Sequence, residues 1–226
     1  AFGPHGAAAE EWDIGSLPDD FGRPPEPADD EPTDADDEPK MEESTDTAFT
    51  PDVTVTTGDE AFRHGNATVT ALHTPGHTSN HTCFAFDDGD RRVLFTGDHV
   101  MGWSTTVVSP PDGDMSAYIE SLRMVAGRDD HVALPTHGSP IHDPQRYIGD
   151  LVEHRLDRER QVLDAVRRGL TTIPDMVTEL YAAVRLELHR PAGNSVLGHL
   201  VKLVDDGTVE VAAGTRPRLD SRYRPA

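Results

Sequence analysis

Three stretches between Leu72 and His137 decide the fold: Leu72-His73-Thr74-Pro75-Gly76-His77-Thr78, Val93-Leu94-Phe95-Thr96-Gly97-Asp98-His99, and Val132-Ala133-Leu134-Pro135-Thr136-His137-Gly138. Each reads as a buried strand followed by a turn that contains Gly or Pro. Each turn sets an imidazole or a carboxylate just past a strand end. If the three strand ends converge, His77, Asp98 and His137 meet at one point. Neutral imidazole and carboxylate are the ligands that a hydrolytic Zn²⁺, Mn²⁺ or iron site uses.

The flanking sequence supplies the rest of a sheet. Val53-Thr54-Val55-Thr56 alternates in the manner of a strand and runs into a Thr57-Gly58-Asp59 turn. Residues 67–72 alternate again and lead into the first motif. Residues 82–86 and 91–95 form a hairpin by spacing, closed by Asp87-Asp88-Gly89-Asp90. Cys83 lies in the first of these strands and reads as a core residue. Residues 101–114 are irregular, and a loop of that length within a compact domain is usually functional or mobile. Residues 116–125 predict a helix with Tyr118, Ile119, Leu122 and Val125 on one side. Strands, a helical crossover and hairpins together predict a mixed sheet covered by helices.

The character changes at Asp143-Pro144, a cap followed by a proline suited to the first helical position. One helix is expected from there to about Arg168, stopped by Gly169. Thr172-Ile173-Pro174-Asp175 opens a second. A third is expected over 192–204, where Val196, Leu197, Leu200, Leu203 and Val204 share a face. Thr208 to Val211 is then a short strand. That order is the order of a winged helix.

Net charge is −21, and it is unevenly spread. Residues 1–50 carry 16 acidic and 2 basic side chains, whereas residues 151–226 carry 11 and 12. The Pro- and acid-rich run over 24–47 reads as a disordered, self-repelling insertion. The near-neutral last third leaves room for a local anion-binding surface built from Arg185, Arg190, Lys202, Arg216, Arg218, Arg222 and Arg224. The single cysteine excludes an intrachain disulfide and agrees with a reducing, cytoplasmic setting. No apolar run approaches the ~20 residues of a membrane span. No Gly-rich phosphate loop is present. Oligomeric state is not legible from the sequence.

The TPGHT, TGDH and LPTHG motifs, in this order, resemble those of the metallo-β-lactamase superfamily. Residues 95–108 and 112–115 are similar to its beta-lactamase-like 2 branch, which ends in a winged helix. Glu153-His154-Arg155, Thr172-Ile173-Pro174 and Ser195-Val196-Leu197-Gly198-His199-Leu200 look like that branch too, as does Phe2-Gly3-Pro4-His5-Gly6. The resemblance implies an α/β (α+β) chain: a partial αββα sandwich followed by a winged helix. The division expected is 1–50 as a partial N-terminal region with the acidic insertion, 51–143 as the hydrolase-fold part, and 144–226 as the winged helix.

It also implies a metal-dependent hydrolase holding two divalent ions, zinc first among the candidates. His77 and His137 resemble terminal ligands of the two metals. Asp98 resembles the bridging, catalytic carboxylate, since two oxygens can hold two cations ~3.5–4 Å apart. Metal-bound hydroxide would attack a small-molecule ester or thioester, or a phosphodiester of single-stranded RNA, the substrate of animal members of the branch. His81 and His99 flank the motifs and are candidates for substrate contact, proton donation or packing behind the ligands.

One departure is sharp. The superfamily's leading His-x-His-x-Asp-His motif is absent, because no two of the 12 histidines lie two positions apart. The expectation is therefore a chain that begins downstream of that motif, lacks the first strands of the sandwich and is inactive alone. The alternative from another class is a non-catalytic nucleic-acid-binding protein that uses the winged helix.

Overall fold

The computed structural model describes residues 16–18, 21 and 50–226. The acidic run over 24–47 and the Phe2–Gly6 segment lie outside the described residues. A five-stranded sheet is built from β1 (Glu60–His64), β2 (Ala67–His73), β3 (Thr82–Asp87), β4 (Arg92–Gly97) and β5 (Val132–Pro135), in that spatial order. The first three pairings are antiparallel and β4–β5 is parallel. The crossover between β4 and β5 carries α1 (Met115–Ala126), capped by Asp114, whose side chain accepts from the Ala117 amide. Parallel neighbours need such a crossover, and the mixed sheet is as expected.

Two differences from the sequence reading concern the sheet's edge. Residues 53–56 form no strand, and the first strand is Glu60–His64. All five β1 residues are exposed at the edge, so burial imposes no alternation that a sequence pattern could show. The expected Thr57-Gly58-Asp59 turn is present. Asp59 Oδ2 accepts from the Thr56 amide at 2.7 Å, and Gly58 takes φ 92°.

The register sorts the sheet into two faces. Thr70, Ala85, Leu94 and Ala133 form one cross-strand row, with Leu72 and Cys83 beside it. This face packs on α1 and on the first half of α2 (Pro144–Arg167), through Tyr118, Ile119, Leu122, Val125, Ile148 and Val152. Cys83 is fully buried; burial pushes its thiol up to about 12, so it is inert. On the opposite face the rows are Ala71-Phe84-Phe95-Leu134 and Val69-Phe86-Val93-Val132. Among the described residues no helix packs on these rows; Ala71 is buried, but Phe95 is 43% and the neighbouring Phe62 59% exposed. A sheet face meant for water alternates to polar residues. This one does not.

The second core belongs to the helical half: α2, α3 (Ile173–Leu180), α4 (His189–Asp205) and a hairpin of β6 (Val209–Val211) with β7 (Tyr223–Pro225). Val162, Ala165, Val166, Met176, Val196, Leu197, Leu200 and Tyr223 are its centre. Asp143, Pro144 and Thr172 act as expected at the helix starts. The third winged-helix helix begins three residues before the expected Ala192. Its first turn, His189-Arg190-Pro191, carries no apolar stripe and is preceded by a 3₁₀ turn over Leu186–Leu188. The two cores share α2. Ile148 and Val152 sit in the first, and Val162 and Val166 in the second.

His199 marks this junction. It is fully buried on α4, with Nδ1 3.8 Å from Glu159 Oε2 on α2, and burial holds its pKa below the ordinary histidine range.

Because one helix serves both cores, thermal unfolding is expected to be a single transition. Ile148→Ala and Val166→Ala, at opposite ends of α2, should each cost about 2–4 kcal/mol and leave it single; two resolved transitions in calorimetry would contradict this. The His199 shift predicts a pH dependence. The unfolded chain binds its proton below about pH 6.5 while the folded chain resists it, so stability is lost as pH falls below that value, by at most ~1.4 kcal/mol per pH unit for this group. His199→Leu should flatten that part of the stability profile from denaturant titrations, and an unchanged profile would refute the assignment.

Candidate metal centre

The three motif turns converge at one end of the sheet. His77 follows β2 in a turn where Gly76 takes φ 140°. A Cβ there would lie 2.3 Å from the Tyr118 Cα, so only glycine lets the turn lie on α1. Asp98 follows Gly97 at the end of β4. His137 follows β5 and is held by its carbonyl, which accepts from the Gly102 amide at 2.8 Å.

The side chains meet around one carboxylate. His77 Nε2 lies 4.0 Å from Asp98 Oδ2, and His137 Nε2 lies 3.6 Å from Asp98 Oδ1. Each oxygen of Asp98 thus faces a different imidazole. His77 Nδ1–H donates to the Val107 carbonyl at 2.6 Å. A carbonyl can only accept, so this bond fixes the tautomer and turns the Nε2 lone pair toward Asp98. A lone pair facing a carboxylate oxygen is unfavourable unless a cation or a proton lies between them. Asp98 Oδ1 is buried without a hydrogen-bond partner. The donor chemistry therefore fits a divalent cation.

The donor number is short. Among the described residues, no group of three or more His, Cys, Asp or Glu side chains is set closely enough to hold a metal ion as it stands. Zinc takes four ligands, and a catalytic zinc takes three from protein.

His81 and His99 lie behind the motif turns. His81 is 2% and His99 0% exposed. The rings of His77, His81, His99 and Tyr118 follow one another at centroid distances of 6.3, 5.6 and 4.9 Å. Burial pushes His81 down to about 4 and His99 down to about 3, so both are neutral at physiological pH. His81 Nδ1 is paired with Thr74 Oγ1 at 2.8 Å. A cavity of about 410 Å³ opens beside His81, Gly97 and Thr136 and continues over Phe84, Phe95 and Leu134 on the uncovered sheet face.

Several residues that organise the centre were not legible in the sequence. Thr106 Oγ1 donates to the carbonyls of Asp98 and His99, at 2.7 and 3.1 Å. Tyr118 Oη donates to the His99 carbonyl at 3.0 Å. Arg155, from α2, donates to the Thr106 carbonyl. Thr106 lay in a stretch with no periodicity, and Arg155 stood out only as part of a family-like triplet.

Comparison with known proteins bears on both halves. The profile of the Metallo-beta-lactamase superfamily matches residues 7–137, and that of the Beta-lactamase associated winged helix domain matches residues 172–216. An atrochrysone carboxyl ACP thioesterase of Passalora fulva is 35% identical over 173 residues, 70% of this chain and 49% of the relative. One of Aspergillus chevalieri is 33% identical over 159 residues, 66% and 50%. The chain spans about half the length of these curated relatives. Among solved structures, a beta-lactamase domain protein from Burkholderia ambifaria superposes with a TM-score of 0.67 at 24% identity, covering 80% of this chain and 55% of that one. A metallo-beta-lactamase family protein from Thermus thermophilus gives 0.61 at 24%, covering 75% and 53%. These two show the fold alone. With the superfamily profile running across more than half of its residues and the winged-helix profile following it, this chain belongs to the metallo-beta-lactamase superfamily.

Proposed function

We propose that the protein is a metal-dependent thioester hydrolase, in which His77, Asp98 and His137 form part of a divalent-metal site. The arrangement of Asp98 carries the reading, because its two oxygens face two separate imidazoles, at 4.0 and 3.6 Å. A carboxylate placed between two imidazoles is a donor set that would hold a divalent cation. When bound, such cations supply Lewis-acid polarisation of the scissile carbonyl and make water acidic enough to react at neutral pH.

The chain's own residues do the positioning. Val107 holds His77 in the tautomer that presents Nε2. Thr106 braces the Asp98 turn through its carbonyl, so the carboxylate is aimed from a fixed backbone. We assign His81 and His99 to the packing that supports the turns, since both are buried and neutral. The thioester, rather than another ester, is supported by the relatives named as acyl-carrier-protein thioesterases, at 33 and 35% identity.

Single-stranded RNA and a non-catalytic nucleic-acid role gain little from the winged helix. Its cations are largely engaged within the fold. Lys202 pairs with Glu159 and Asp206, Arg218 with Asp220 and Arg224 with Glu210; Arg190 donates to the carbonyls of Phe21 and Pro18. A phosphate backbone needs free cations. No helix among the described residues is long and apolar enough to cross a membrane.

The three donors found among the described residues are too few for tight retention of two metals, so the chain by itself is expected to be inactive. After dialysis it should hold less than one equivalent of zinc by elemental analysis, and Asp98→Ala should abolish what remains. Two tightly held equivalents would contradict the incomplete site. In a longer protein that carries the His-x-His-x-Asp-His motif, an acyl thioester should be hydrolysed and Asp98→Ala should lower the rate by at least about 10³. Cleavage of single-stranded RNA with the thioester left intact would overturn the substrate class.

A further inference from the structure

One short segment, Thr106-Val107-Val108, supports the metal centre from behind. Thr106 Oγ1 holds the Asp98 carbonyl, and the Val107 carbonyl holds the His77 imidazole. The segment is itself held by α2, the helix shared by both cores, and by α4. Arg155 of α2 donates to the Thr106 carbonyl, and its guanidinium lies 5.3 Å over the Tyr118 ring, whose hydroxyl braces the His99 carbonyl. Gly198 of α4 lies so close that an added Cβ would come within 3.1 Å of the Val108 carbonyl oxygen. Two helices of the C-terminal half thus press on the segment that aims both site residues.

Arg155 is only 3% exposed. Burying a guanidinium carries a desolvation penalty, and buried charges can often be replaced by apolar residues with no loss of stability, or with a gain. A methionine of similar length would fill the space against Tyr118 at lower cost. What methionine cannot do is donate to the Thr106 carbonyl.

We propose that Arg155 is a positioning residue for the His77–Asp98 pair, acting through the Thr106–Val107 backbone, so that the winged-helix half sets the geometry of the metal centre. The proposal rests on the assignment of His77 and Asp98 to the site. It gives the C-terminal domain a task that needs no ligand of its own. It also explains why Arg155, on the helix shared by both cores, is buried beside neutral groups and not left in solvent.

The test reads the His77 ring in the metal-free chain. Imidazole ¹⁵N–¹H spectra near pH 8, about 1.5 units above the ordinary histidine pKa, report which nitrogen carries the proton and how fast it exchanges. The parent is expected to show the Nδ1–H tautomer with slow exchange. Arg155→Met should give a mixture of tautomers and exchange faster by about tenfold, with the melting temperature unchanged or raised. Arg155→Lys, which keeps a donor, should lie between the two. A folded Arg155→Met variant with the parental tautomer and exchange rate overturns the proposal. If that variant does not fold, Arg155→Lys decides: a partial shift supports positioning, and no shift refutes it. Cobalt binding, followed separately by its visible absorption, tests the metal reading. A chain that shifts as predicted but never takes cobalt keeps the positioning role and loses the metal site.

Discussion

A carboxylate that faces two imidazoles, with one of its oxygens buried and unpartnered, is the constraint on which the rest of this molecule turns. The Asp98 side chain is 40% exposed, so only Oδ1, which lacks a hydrogen bond and lies 3.6 Å from His137 Nε2, is left unsatisfied, and a cation there would satisfy it. The carboxylate's position depends on three strand ends arriving together. That depends in turn on the β4–α1–β5 crossover, the Gly76 turn seated on α1 and the Thr106 brace on the Asp98 backbone. The local chemistry is simple, and most of the structure exists to hold it in register.

The same logic explains the one-sided construction. One face of the sheet is closed by α1 and α2, while the other presents rows of Phe, Val, Leu and Ala with no polar alternation. The cavity beside His81 and Thr136 runs onto that face. Whatever packs against the sheet there also borders the His77, Asp98 and His137 cluster.

Much of this was legible in the sequence, for physical reasons. Residues 67–72, 82–86 and 92–95 carry the sheet in their alternation, since one face of each strand is buried against helices. The convergence of His77, Asp98 and His137 follows from Gly and Pro punctuating the strand ends that carry them, and the structure brings the three side chains together. What failed to show had no periodic signal. The edge strand Glu60–His64 is wholly exposed, the first turn of α4 has no stripe, and β7 is three residues long and paired only with β6. Thr106 acts through hydrogen bonds to carbonyls 8 and 7 residues away and Arg155 through one to a carbonyl 49 residues away, relations that no local pattern encodes.

Anomalous diffraction from crystals of the chain soaked in a cobalt or zinc salt tests the central claim most directly. The expected result is a peak within about 2.0–2.2 Å of Asp98 and of at least one of His77 Nε2 and His137 Nε2. A cation that settles elsewhere, with Asp98 left bare between its two imidazoles, would contradict it.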